Sequence, residues 1–134
     1  MENMPIQFFL HMIPPTVTNQ EHRIGKTSNK VYLYDSPEIK DAKQKFNAYL
    51  SKHIPDEPIK NKPIRLTVKW LFPRGNHQDG EYKITKPDTD NLQKMLKDCM
   101  TKLGYWKDDA LVASEIIEKF WAEYPGIYIR IEEI

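Results

Sequence analysis

The chain contains the run Lys86-Pro87-Asp88-Thr89-Asp90-Asn91-Leu92-Gln93-Lys94. Two carboxylates stand two residues apart just before an apolar-periodic segment, and a lysine follows the second by four. Asp108 and Asp109 come after the far end of that segment. Residues of these types suit the hydrolysis of a phosphodiester. Water must then attack a phosphorus shielded by negatively charged oxygens. One or two magnesium ions held by carboxylates lower the pKa of bound water, neutralise the phosphoryl oxygens and stabilise the leaving oxygen. Magnesium prefers oxygen donors in octahedral geometry and keeps several waters. In extended backbone, residues i and i+2 project to one side, so Asp88 and Asp90 can share an ion. A helix starting there adds backbone N–H groups that favour a nearby phosphate.

Each of these residues also has a plain structural use. One aspartate can cap the helix while the other complements its dipole. Lys94 can pair with Asp90 at i, i+4 on the helix surface, or it can meet a scissile phosphate and offset charge in the transition state. Asp108-Asp109 serves as a solvated turn or as a carboxylate pair drawn to a cation. Glu115 and Glu118 are lesser metal candidates, equally explained by the exposed face of a strand. An EF-hand loop is excluded, because its fifth ligand position would be Leu92 and its required glycine would be Gln93.

The elements that must position these groups are readable in outline. Residues 5–13 form an apolar run that predicts a buried strand stopped by Pro14-Pro15. Residues 14–30 read as a long polar loop, and residues 31–34 as a short strand. Ser36-Pro37-Glu38 opens a helix with a capping hydroxyl, an N1 proline and a first-turn acid. Its apolar face is Ile39, Ala42, Phe46, Tyr49 and Leu50, and Pro55 bounds it. Ile64, Leu66, Val68, Trp70 and Phe72 alternate with Arg65, Thr67, Lys69 and Leu71, the pattern of a half-buried strand. A second polar loop runs over residues 73–87.

The helix carrying the Asp-x-Asp run starts at Asp88 or Asp90. Leu92, Met95, Leu96, Cys99 and Leu103 follow its apolar face to Gly104. Residues 114–123 read as a strand, Tyr124-Pro125-Gly126 as a turn, and Ile127, Ile129 and Ile131 as a final strand. The last two strands are expected to pair as a hairpin. The order β-β-α-β-α-β-β describes an α+β (mixed α/β) layered fold. Trp70, Trp106 and Trp121 are expected in the core or at an interface, with Tyr105-Trp106 the candidate pair for touching a base.

At 134 residues and 40% hydrophobic content, the chain supports one domain with a real core, spanning 1–134. No apolar run approaches the roughly 20 residues that span a bilayer. Met1-Glu2-Asn3-Met4 lacks the basic n-region of a signal peptide. One cysteine, Cys99, forms no internal disulfide, so a reducing cytoplasm is the expected setting. His11, His22, His53 and His77 have no zinc-type spacing with it. The net charge of +1 hides an uneven distribution. Residues 1–107 hold 18 of the 20 Lys and Arg but 12 of the 19 Asp and Glu, and residues 108–134 hold the other 2 and 7. A basic body with an acidic end can hold a polyanion beside a carboxylate site. A mixed surface kept near neutral accounts for the same numbers.

The Asp-x-Asp run resembles the RusA family of crossover junction endodeoxyribonucleases, which resolve Holliday junctions. The family pattern is a basic residue, Asp-x-Asp-Asn-Leu-x-Lys, a helix, a hydrophobic stretch and then Asp-Asp. Here Lys86 to Lys94 is followed by Gly104-Tyr105-Trp106-Lys107-Asp108-Asp109, and the resemblance covers about residues 84–120. It implies that Asp88, Asp90 and Asp109 are metal-binding catalytic aspartates, with Asp108 the alternate in its pair, and that Lys94 is the catalytic lysine. It also implies magnesium, with manganese as a substitute, a homodimer, and paired nicks in four-way DNA junctions during recombination and repair. Some members carry an arginine directly before the first aspartate, where this chain has Pro87. Lys86 supplies a positive charge beside it. DNA contacts are expected from Lys86, Lys94, Arg23, Lys26 and Arg74. Two other readings share these residues: a non-catalytic dimer that binds branched DNA, and a metal-dependent nuclease acting on flaps or simple duplex.

Overall fold

A computed structural model describes residues 4–16, 22–27 and 30–134, with side chains described for 4–16 and 35–134. The elements run β1 (Ile6–Leu10), β2 (His22–Thr27), β3 (Lys30–Asp35), α1 (Pro37–Leu50), β4 (Ile64–Pro73), α2 (Thr89–Leu103), a 3-10 turn (Asp109–Leu111), β5 (Val112–Ala122) and β6 (Gly126–Glu133). This is a mixed α+β fold. Four strands form one sheet in the order β1-β6-β4-β5, and β2 and β3 form a separate antiparallel ribbon.

The alternation seen in the sequence explains why β4 lies inside the sheet. Ile64, Leu66, Val68 and Trp70 are fully buried and Phe72 nearly so, while the residues between them are half-exposed. They form one core with Ile39, Phe46 and Leu50 of α1 and with Leu92, Met95, Leu96, Cys99 and Met100 of α2. Both helices therefore cover the same face of β4. β6 pairs antiparallel with β4 on one side, and β5 pairs parallel with it on the other. A parallel neighbour needs a long crossover, and α2 lies within the segment that provides it.

Two expectations about the strands fail. β5 and β6 do not form a hairpin, because β4 lies between them. Their connection, residues 123–125, arches over the end of β4, where Pro73 pairs with Ala122 and Leu71 pairs with Gly126. Two strand spacings are about 10 Å, a gap that three extended residues can bridge. The segment 14–30 is also not wholly a loop, since His22–Thr27 is the strand β2. Its sequence, His-Arg-Ile-Gly-Lys-Thr, has little apolar alternation, and its regularity comes from pairing with β3.

The ends of α2 explain how the site is entered and left. Gly104 takes the left-handed conformation at φ 92°, which glycine tolerates, and stops the helix. Tyr105 and Trp106 then turn inward and are almost fully buried. The Trp106 indole donates to Thr101 Oγ1 at 2.7 Å, and the Tyr105 hydroxyl donates to the Leu50 carbonyl. Neither ring is available to a base, contrary to the sequence expectation.

Candidate active site

A cavity of about 320 Å³ opens between α2 and the first half of β5, lined by Asp90, Gln93, Lys94, Lys97, Asp98, Asp109, Glu115 and Ile117. Three residues expected from the sequence thus meet here. Asp90 and Lys94 come from the first turns of α2, and Asp109 comes from the 3-10 turn that leads into β5. Helix geometry explains the α2 contribution. Residues at i, i+3, i+4, i+7 and i+8 from Asp90 share its face, and these are Gln93, Lys94, Lys97 and Asp98. That face lies beside the apolar stripe buried against the sheet. Sequence reading passed over Gln93, Lys97 and Asp98, although this same periodicity could have found them.

Lys97 and Glu115 cross the cavity as an ion pair at 2.6 Å, both about three-quarters buried, tying α2 to β5. Glu115 therefore already has a cation. Glu118 accepts from the Tyr82 hydroxyl at 2.9 Å. By contrast, the side chains of Asp90, Lys94 and Asp109 make no ion pair or hydrogen bond among the described residues.

The two carboxylates of the Asp108-Asp109 pair separate clearly. Asp108 is the N-cap of the 3-10 turn and its side chain accepts from the Ala110 N–H at 2.9 Å. Asp109 is the one that lines the cavity. Asp88 is the N-cap of α2, yet its side chain makes no capping hydrogen bond. It is exposed and does not line the cavity. Among the described residues, no three acidic, histidine or cysteine side chains are gathered closely enough to hold a metal ion by themselves. The donor set is nevertheless chemically suited to magnesium, which takes one or two carboxylates and fills its shell with water and substrate phosphate.

The loop that delivers Asp88 is anchored from β5. The Lys119 ammonium donates to the carbonyls of Thr85 and Pro87 at 2.6 and 2.7 Å. Pro87 is buried, and the Lys86–Pro87 peptide is cis. Beside it, Lys83 is 7% exposed and donates to Thr85 Oγ1. Its ammonium lies over the ring of Trp121, 4.3 Å from the centroid. Burial, with a smaller contribution from the neighbouring Lys119 charge, pushes the Lys83 pKa below its usual value. Backbone bonds between Gly80 and Trp121, Glu81 and Trp121, and Lys83 and Lys119 run the loop back along the edge of β5.

The residues expected to contact DNA do not form one group. Lys94 lines the cavity, and Lys86 is exposed, two residues before Asp88. Arg74 lies elsewhere, paired with Glu123 and donating to the His77 carbonyl at 3.0 Å. Arg23 and Lys26 fall on β2, outside the described side chains.

Comparison with known proteins identifies the family. The profile of the endodeoxyribonuclease RusA family matches residues 13–132, and the chain belongs to that family. It is 32% identical over 133 residues to the crossover junction endodeoxyribonuclease RusA of Lactococcus phage r1t, covering 98% of this chain and 100% of the relative. It is also 31% identical over 119 residues to the uncharacterized protein YqaN of Bacillus subtilis strain 168, covering 80% of this chain and 82% of that one. Among the described residues, no helix is long and apolar enough to cross a membrane.

Proposed function

We propose that this protein is a magnesium-dependent endodeoxyribonuclease that resolves four-way DNA junctions by paired phosphodiester hydrolysis. It acts as a cytoplasmic homodimer in DNA recombination and repair. Membership of the RusA family and the full-length similarity to a crossover junction endodeoxyribonuclease support the substrate class. The observation that carries the reading is the cavity where Asp90, Lys94 and Asp109 meet from two parts of the chain, with no ion-pair partner among the described residues.

Asp90 and Asp109, which line the cavity, would hold the ion directly, with manganese as a substitute, and Asp88, outside the cavity lining, would act on it through its water shell. Waters and DNA phosphate oxygens would complete its shell. When bound, the metal supplies a more acidic water and neutralises charge on the phosphoryl group. Lys94 acts at the same phosphate, where its ammonium offsets the charge that develops in the transition state. Lys86 holds the DNA backbone. Asp108 is left out of the ligand set, because its carboxylate already caps the 3-10 turn. A four-way junction has two-fold symmetry, so a dimer presents one site to each of two opposed strands.

The test is to incubate the protein with a synthetic four-way junction, a flap and a linear duplex, in magnesium and in chelator. Symmetric nicking of the junction, dependent on magnesium, is the expected result. Equal cutting of flap or duplex would reassign the substrate, and junction binding with no cleavage in magnesium or manganese would leave a branched-DNA-binding protein.

A further inference from the structure

We propose that Gln93 is a catalytic residue that donates a hydrogen bond from its side-chain amide to a non-bridging oxygen of the scissile phosphate. The inference rests on the nuclease reading above and adds a residue to it.

Gln93 is 2% exposed, yet it lines the same cavity as Asp90, Lys94 and Asp109. Its Oε1 accepts from the indole Nε1 of Trp70 at 3.3 Å, while its Nε2 has no hydrogen-bond partner among the described residues. The orientation of the amide follows from chemistry. An indole N–H can only donate, so Trp70 must face the carbonyl oxygen of Gln93. Turning the amide over would set two donors against each other. Trp70 is itself fully buried and has little freedom to move. The amide nitrogen is therefore fixed as a buried donor on a side chain that lines the cavity.

A buried donor without a partner is costly, and native structures keep few of them. The missing partner must be an acceptor. In a cavity that also presents Asp90, Asp109 and Lys94, the acceptor that arrives with substrate is a phosphodiester oxygen. A neutral amide suits this position. It binds the phosphate without adding a cation that would compete with a metal for the two aspartates. Asp90, Gln93 and Lys94 then act from one helical face, at i, i+3 and i+4.

Two kinds of measurement test the proposal. In the wild-type protein, the Gln93 side-chain amide signals in a 15N–1H spectrum should move when junction DNA is added with calcium in place of magnesium. This readout needs no cleavage. In single-turnover cleavage at saturating protein, Gln93→Glu keeps an acceptor for Trp70 but loses the donor, and Gln93→Met loses both. Each should slow the reaction by about 10²-fold, the scale of one transition-state donor. Replacing a non-bridging oxygen of the scissile phosphate with sulfur should slow the wild type. It should slow Gln93→Met clearly less, because the bond that sulfur weakens is already gone. A merely structural glutamine would give the same sulfur penalty in both proteins. Unmoved amide signals in the junction-bound protein, or equal sulfur penalties, would overturn the proposal while leaving junction cleavage by the wild type intact. A wild type that binds no junction would instead sink the nuclease reading and this inference with it.

Discussion

The two helices follow the same local rules and use them differently. α1 and α2 have 14 and 15 residues, each with an apolar stripe buried in the common core. Each begins with a residue type that caps helices, and each carries near its start an aspartate followed four residues later by a lysine. In α1 both devices are engaged. Ser36 Oγ accepts from the Ile39 N–H at 3.2 Å, and Asp41 pairs with Lys45 at 3.2 Å on an exposed surface. In α2 neither is. Asp88 makes no capping bond, and Asp90 and Lys94 form no ion pair. The plain structural readings of the Asp-x-Asp…Lys run are thus realised in the neighbouring helix and declined in the one that faces the cavity. Polar groups left unengaged locally, on elements that hold them rigidly, are groups available to something else.

The comparison breaks most sharply at the carboxylates. Asp90→Asn and Asp109→Asn should each reduce cleavage on the order of 10³-fold, since several kcal/mol of transition-state stabilisation depend on the metal they are proposed to hold. Asp88→Asn should behave alike. Junction binding should persist or tighten, because each change also removes a negative charge facing DNA. Asp41→Asn in α1 should cut at the wild-type rate. Near-normal cleavage by the Asp88, Asp90 and Asp109 variants in magnesium would show that the site is misassigned.

The lysines should separate next. Lys94→Ala should lose on the order of 10² in single-turnover rate, the scale of one electrostatic contact made in the transition state. Lys94→Arg should also lose rate, because a planar fork does not replace a compact ammonium. Lys45→Ala should leave the rate unchanged and cost a few tenths of a kcal/mol in stability, as an exposed i, i+4 pair does. The use of saturating protein keeps weaker DNA binding from passing as slower chemistry. A wild-type single-turnover rate in Lys94→Ala would return this lysine to the role Lys45 plays.

How much of this was legible in the sequence depends on the range of the interaction. β4 and α2 announce themselves because one strand alternates strictly and one helix repeats strictly, and both signals are local. The meeting of Asp90, Lys94 and Asp109 was implied by the resemblance. So was the preference for Asp109 over Asp108, but its physical reason, the bond from Ala110 back to the Asp108 carboxylate, was not. β2 was invisible because its residues alternate little and its regularity comes from pairing with β3, and the placing of β4 between β5 and β6 because strands far apart in sequence decide it. The orientation of the Gln93 amide was hidden for the same reason. Its orientation is set by Trp70, 23 residues away on another element.

The inner face of α2 offers a smaller effect. Cys99 is 3% exposed, and burial pushes its thiol up to about 11 from 9.0, with Lys43 and Lys102 pulling weakly the other way. The folded state therefore favours the protonated thiol. Its contribution to stability is complete below pH 9.0 and is lost as pH rises through about 11. The loss is on the order of 2 kcal/mol. Urea unfolding of wild type and Cys99→Ala across this range should show a steeper decline in the wild type. Parallel declines would mean that the thiol is not held away from water. Below pH 9 the native thiol should also resist alkylation, because its thiolate fraction is small.

The helix caps give the smallest effect and the most direct test of the comparison. Ser36 bonds to the Ile39 N–H in a buried position, so Ser36→Ala should cost about 1 kcal/mol and leave cleavage unchanged. Asp88 occupies the equivalent position in α2 with no such bond, so Asp88→Ala should lose only its favourable charge near the helix N-terminus, a few tenths of a kcal/mol at an exposed site. The same substitution should nevertheless abolish most of the cleavage. The loop before it, held through the Thr85 and Pro87 carbonyls by Lys119, does not need the carboxylate for its shape. Thermal melts and cleavage assays on the two alanine variants should therefore give opposite patterns, with stability lost in α1 and activity lost in α2. If Asp88→Ala instead melted as early as Ser36→Ala and still cut DNA, Asp88 would be a cap after all, and α2 would differ from α1 only at Asp90 and Lys94.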